Sequence, residues 1–235
     1  MSMRNFFPTY DLLFLNEYNT LSFIVSNPDI RRYFHTLHHN AATYLSTLRN
    51  TIDKIRRRRP PRDLDFIFNS CINDIEINYR RGSAYIGAEI KVKNCNYEKL
   101  TYYFALCDDK EIIRKFHFDY VPENTATRTP HPIFHLQYPG KIPPHLQELK
   151  HNHLECGLSE PRITFTPMSL ALIINIIFKE FCNENTYRVM EDPAWRGLIR
   201  RDENFLLAPF FERCNQLLSH IPANKTFTFD ICYGS

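Results

Sequence analysis

Between Asp74 and Val121 the hydrophobic period is two, four times in succession: DIEINYRR, AYIGAEIKVK, YEKLTYYFALC and EIIRKFHFDYV. Short turns at Gly82-Ser83, Asn94 to Asn96 and Asp108 to Lys110 divide the runs. Alternation puts successive side chains on opposite faces of a strand, and connections this short join only antiparallel neighbours. A meander is therefore expected, and PIFHLQY, after a Thr/Pro-rich loop, supplies a fifth strand. One face collects Ile75, Ile77, Tyr79, Ala84, Ile86, Ala88, Ile90, Val92, Leu100, Tyr102, Phe104, Leu106, Phe116, Phe118, Tyr120, Phe134, Leu136 and Tyr138. The other collects Glu76, Asn78, Arg80, Glu89, Lys91, Tyr103, Lys115, His117, Asp119, His135 and Gln137. The apolar face needs a cover, whereas an antiparallel sheet tolerates one wet face.

Helices on either side of the strands supply that cover. Asn27 before Pro28 reads as an N-cap followed by proline at the first helical position. Ile30, Phe34, Leu37, Ala41, Leu45, Leu48, Ile52 and Ile55 then recur in steps of three and four, until Pro60 and Pro61 end the pattern. This predicts one long amphipathic helix. Beyond the proline-containing stretch 139–160, Thr166-Pro167 opens a helix that is apolar almost all round from Leu170 to Phe181, and a last helix is expected from Glu203 to Ser219. TFTFDICY, near the end of the chain, alternates as a short extra strand. With no repeat and no long linker, residues 1–235 read as a single α+β domain. It would hold a basic helical arm (28–62), an antiparallel five-stranded meander (72–138) and a helical cap (163–220), with the long N-terminal amphipathic helix and the C-terminal helices packed on one face.

Composition removes several function classes. The chain is 43% hydrophobic and 14% aromatic, enough for an apolar core without a metal or disulfide scaffold. Its six glycines stand apart, so no GxGxxG or GxxxxGK[ST] phosphate cradle can be drawn and no nucleotide cofactor is expected. Seven cysteines, none in a CxxC pair, read as reduced thiols. No signal-type segment opens the sequence, and the longest apolar run, 170–178, is interrupted by Asn175. The expectation is a cytoplasmic protein with no membrane partner.

Charge is unevenly placed. Residues 28–62 carry nine basic groups against Asp29 and Asp53, a net of +7, while twenty basic and twenty-four acidic groups elsewhere balance at −4. A dense positive strip on a mildly acidic body suits phosphate or an acidic partner; the plainer reading is a solvated helix face. Arg49, Arg56, Arg57, Arg58 and Arg59, with Arg128 from the loop before the fifth strand, are the candidate nucleic-acid-binding residues.

Three constellations could carry chemistry. In the first, alternation places His117 and Asp119 on one side of their strand, and His135 and Gln137 project the same way from the next. Adjacent strands lie about 4.8 Å apart, so these groups can converge, with His131 and Arg128 delivered by the intervening loop. Two imidazoles beside a carboxylate suit metal-independent RNA cleavage, with His117 and His135 as acid and base and Asp119 orienting. The same groups could hold a divalent metal, or be a cross-strand pair making surface hydrogen bonds. In the second, Asp74 with Glu89 and Lys91 has the residue order of metal-dependent nucleases, and also of any solvent-facing ion-pairing strand. The third, His145, His151, His153 and Cys156, has spacing that allows zinc but lacks a second paired motif, and an ordinary polar loop is the better reading.

The run LTYYFALCDDKEIIRKFHFDY followed by PHPIFHLQY resembles small bacterial toxin-type proteins of toxin–antitoxin or defence loci, in which an antiparallel meander ends in an R-x-D strand followed by histidine-rich residues. The resemblance covers residues 97–138 and implies a functional set of Arg114 or Lys115, Asp119, His131 and His135. It also implies growth inhibition through RNA and a cognate antitoxin as partner. His117, inserted before the aspartate, the basic helix and the C-terminal cap depart from that pattern. Two readings of different kind result. One is a cytoplasmic RNA-cleaving toxin or anti-phage defence component that grips phosphates with its basic arm. The other is a non-catalytic module whose basic helix docks nucleic acid or an acidic protein.

Overall fold

The four alternating runs become the four long strands of one sheet. A computed structural model describes residues 9–34, 37–57, 63–77, 79–108, 111–120, 133–137, 150–151, 162–181 and 183–221. In chain order the helices α1 (Tyr10–Ser26), α2 (Pro28–Arg31) and α3 (Leu37–Arg56) come first. The strands β1 (Leu64–Ile77), β2 (Arg80–Lys93), β3 (Asn96–Asp108), β4 (Glu111–Tyr120) and β5 (Phe134–Gln137) follow, then the short β6 (Lys150–His151) and β7 (Arg162–Thr164). The helices α4 (Leu170–Glu180), α5 (Glu184–Glu191), α6 (Pro193–Asp202) and α7 (Ala208–Leu218) complete the order, with a π-helical stretch, Glu203–Leu207, joining the last two.

β1 to β5 form the antiparallel meander in sequence order; β7 adds antiparallel to β5, and β6 pairs parallel with β4. The α+β architecture is thus as expected, with two strands too short to show any alternation in the sequence. β1 starts at Leu64 rather than Ile72, because a bulge between Ile72 and Ile75 splits its pattern. Asp74, at φ 57°, absorbs the extra residue, so that Ile72, Ile75 and Ile77 all face inward. Tyr79 is a correction: it sits in the β1–β2 connection and is 96% exposed, not in the core.

The inward face is apolar from β1 to β4, and all the core helices lie on it. Phe68, Ile86, Ile90 and Tyr102 from the sheet share one cluster with Phe14 and Leu21 of α1, Leu48 of α3, Ile174 and Phe178 of α4 and Trp195 of α6. Each such side chain, fully buried, contributes about 1.5–3 kcal/mol. Asn175, the polar interruption in the apolar run, accepts a hydrogen bond from Trp195 Nε1 at 3.0 Å.

The expected single helix over 28–62 is two helices. Asn27 caps α2 by accepting from the backbone N–H of Asp29 (3.0 Å) and of Ile30 (3.4 Å), with Pro28 at the first position. The break comes at Tyr33 and Phe34, which both turn into the core against Phe178. Leaving the helix frees the Tyr33 carbonyl to accept from Asn73 N–H of β1 at 2.9 Å. α3 then runs beside β1, the edge strand, where the Tyr44 hydroxyl donates to Asn69 O (3.4 Å) and accepts from Asn69 N–H (3.3 Å). Glu76 N–H donates to Phe181 O at 3.1 Å, so an edge otherwise open to strand addition is partly closed. Among the described residues no helix is long and apolar enough to cross a membrane.

Candidate functional site

The second face of the sheet carries two cross-strand rows built by the register. The first runs Ile67, Glu89, Thr101, Asp119, His135 and Thr164; the second runs Asn69, Gly87, Tyr103, His117, Gln137 and Arg162. Residues in one row are direct neighbours, about 4.5–5.5 Å apart at Cβ. Alternation therefore brings His117, Asp119 and His135 to adjoining positions, as expected.

The pairing within the group differs from the expected histidine pair. His135 lies opposite Asp119 and His117 opposite Gln137, so the two imidazoles are diagonal neighbours, about 7–8 Å apart. Asp119 divides its two oxygens between its neighbours. Oδ1 accepts from the Thr101 hydroxyl at 2.6 Å, and Oδ2 lies 3.5 Å from His135 Nε2. A carboxylate placed this way favours the tautomer with hydrogen on Nε2 and fixes the ring's orientation. His117 packs instead against the Tyr103 ring, with centroids 5.8 Å apart and planes 36° apart. Tyr103 in turn lies over Gly87, where any β-carbon would collide with its ring, and donates its hydroxyl hydrogen to Asn69 Oδ1. Burial pushes the Tyr103 phenol well above its ordinary range, so it stays protonated and able to donate.

This face is not uniformly wet, which corrects the simple inside–outside reading. His135 is 2% exposed, Asp119 retains 20% of its side-chain exposure and His117 is half-buried with its Nε2 enclosed. Thr101, Tyr103, Ala105 and Cys107 are buried as well. A satellite cluster of Ala105, Cys107 and Ile112, with Tyr85 packed against it, accounts for the apolar end. Burial also pushes the Cys71 and Cys107 thiols up, to about 11 and about 12, so neither is a nucleophile near neutral pH. A small cleft is lined by Asp119 together with Leu100, Tyr102, Phe118, Tyr120 and Phe134, residues that mostly face the apolar side of the sheet.

The other predicted sites are differently placed. Asp74 stands near Gly82 in the register, seven residues and about 23 Å of strand from Glu89, so the nuclease-type acid, Glu-x-Lys set is not assembled. Its members have separate structural partners. Glu89 binds Lys91 at 3.3 Å and also Lys99, Lys91 reaches Asp65 at 3.7 Å, and the Asp74 carbonyl accepts from Asn183 Nδ2. These two lysines hold the Glu89 carboxyl below its ordinary range against its partial desolvation. His131, Arg58, Arg59 and Arg128 lie outside the described residues, as do His145, His153, Cys156 and the TFTFDICY segment; of the histidine-rich loop only His151 is placed, in β6. Among the described residues no group of three His, Cys, Asp or Glu side chains could hold a metal ion.

The basic arm keeps its outward face. Ala41, Leu48 and Ile52 of α3 are buried while Arg49, Arg56 and, just beyond the helix, Arg57 are exposed. Among the described residues none of these three guanidinium groups is in an ion pair or hydrogen bond, in contrast to the neutralised lysines of β2 and β3.

Thr101, Asn69 and Gly87 complete the two rows and were not singled out in the sequence. Thr101 was within reach of it, since the alternation that turns Tyr103 outward turns Thr101 outward too; the roles of Asn69 and Gly87 depend on register alone. In comparisons with protein-family models, curated proteins and solved structures, nothing matches this chain.

Proposed function

We propose that this chain is a cytoplasmic nucleic-acid-acting protein that binds RNA through the outward face of α3. The observation that carries the reading is the set of exposed, unpaired guanidinium groups at Arg49, Arg56 and Arg57. Guanidinium forks match phosphate oxygens, and each phosphate neutralised releases counterions. Binding to a single-stranded RNA oligonucleotide should therefore weaken steeply as salt is raised. Affinity indifferent to salt contradicts phosphate contacts, and capture of an acidic protein in place of RNA would favour the docking-module alternative.

A second reading, metal-independent RNA cleavage by a toxin or defence component, is favoured by the Asp119–His135 pair with His117 alongside. The burial of His135 redistributes the roles. It would support Asp119 from beneath, leaving Asp119 and the half-buried His117, whose Nε2 is enclosed, as the groups to exchange protons with a ribose 2′-hydroxyl and a leaving oxygen. The chain and its His117→Ala variant, expressed in the same host, separate the readings. Growth arrest and RNA loss confined to the parent chain support cleavage; equal growth and intact RNA in both leave binding alone.

A further inference from the structure

We infer that the tip of the β1–β2 hairpin is a second RNA contact, at which Tyr79 stacks on an unpaired base while Arg80 and Arg81 meet the flanking phosphates. This rests on the RNA-binding reading but not on the residues that carry it.

The first observation is conformational. Ile77 pairs with Arg80, so Tyr79 lies in the connection between the two strands, and it sits at φ 63°. That left-handed region is the province of glycine and asparagine in two-residue hairpins; a bulky aromatic there is locally unfavourable. The second is that the ring gains nothing in return among the described residues: Tyr79 is 96% exposed and has no ring contact or hydrogen bond there. A residue that breaks a local rule without a compensating contact marks a place where function has overridden folding preference.

The third is the setting. Arg81 is exposed, and Arg80, 78% exposed, only brushes Asp108 at 3.9 Å. The tip is a fixed mount, because Ile77 packs into the space left by the missing β-carbon of Gly82, directly beneath the turn. An exposed π-face followed directly by two guanidinium-bearing residues is the pattern that holds single strands with little sequence preference, since every base has a face to stack and every link a phosphate. A duplex hides its base faces, so single-stranded RNA is the form recognised. The tip lies at the far end of β1 from its start at Leu64, about 46 Å along its 14 residues, whereas α3 flanks the strand from Tyr44 at Asn69 onward. The two contacts can therefore be removed separately.

The test is binding of a labelled single-stranded uridine oligonucleotide to the full chain, to Tyr79→Gly, to Tyr79→Phe and to the pair Arg56→Ala/Arg57→Ala. Tyr79→Gly suits a positive φ, so its thermal midpoint should equal or exceed that of the parent, while its affinity falls about 5- to 100-fold, the range for one lost stack. Tyr79→Phe, which keeps the ring face, should bind like the parent. Undiminished binding by Tyr79→Gly, with binding lost in the arginine pair, overturns this inference alone. Failure of the parent chain to bind the oligonucleotide overturns it together with the RNA-binding reading.

Discussion

Tyr102 donates its hydroxyl hydrogen to Glu17 Oε1 at 2.5 Å, across the interface between β3 and α1, with both residues buried. The same oxygen accepts from Leu170 N–H, in the first turn of α4, at 3.3 Å. Beside it Asp202, the last residue of α6, is fully buried and accepts from the Ser169 hydroxyl that caps α4. Glu17 Oε2 and Asp202 Oδ1 are enclosed with no hydrogen-bond donor among the described residues, and the charge of Arg201 only partly offsets the burial of Asp202. An ionised carboxylate in that position is costly, so burial first of all pushes Glu17 up to about 8 and Asp202 up to about 6; Tyr102 and Ser169 pull the other way.

The sign of the pH dependence follows. Both groups bind protons more tightly folded than unfolded, so their contribution is complete below their ordinary range and is lost as pH rises through about 6 and then about 8. Chemical denaturation across that window should show stability falling, by at most about 1.4 kcal/mol per pH unit for each group. Glu17→Gln should flatten the upper part of the fall.

Tyr102→Phe removes a donor to a buried acceptor and should cost about 1–2 kcal/mol. It should also move the Glu17 titration to still higher pH, since the lost bond favours the ionised form. Denaturation curves at matched pH measure both effects.

Gly87→Ala should destabilise by about 1–3 kcal/mol, because the new methyl group collides with the Tyr103 ring. Most of that cost should disappear in the background of Tyr103→Ala, where the ring is gone. A double-mutant cycle reads this as non-additivity; additive costs would mean that the ring does not occupy the space above Gly87.

These relationships mark the boundary of what the sequence discloses. The faces of β2 to β5 were legible because alternation holds through their central residues and is broken only near the strand ends, at Lys91/Val92 and Leu106/Cys107, and so was the outward position of Arg49, Arg56 and Arg57 on an amphipathic helix. The bulge at Asp74 hid the first half of β1 by shifting its phase. α1 is apolar on too many sides to show a stripe, and Glu17 is conspicuous in it only as a carboxylate among Leu13, Phe14 and Leu21. The helix break at Tyr33 depends on Phe178 and Asn73, both remote in the chain. For the candidate site, alternation placed His117, Asp119 and His135 together. It could not give the depth of His135, which is a property of packing across the whole face.

The most direct measurement is the affinity of the full chain for a single-stranded RNA oligonucleotide, titrated with salt, beside the variant Arg49→Ala/Arg56→Ala/Arg57→Ala. All three side chains are exposed and unpaired among the described residues, so the variant should keep the parent's unfolding midpoint. Steep salt dependence in the parent, and a weaker affinity with a shallower salt slope in the variant, is the result expected if α3 grips phosphates. Equal affinity and equal slope in the two proteins would contradict it.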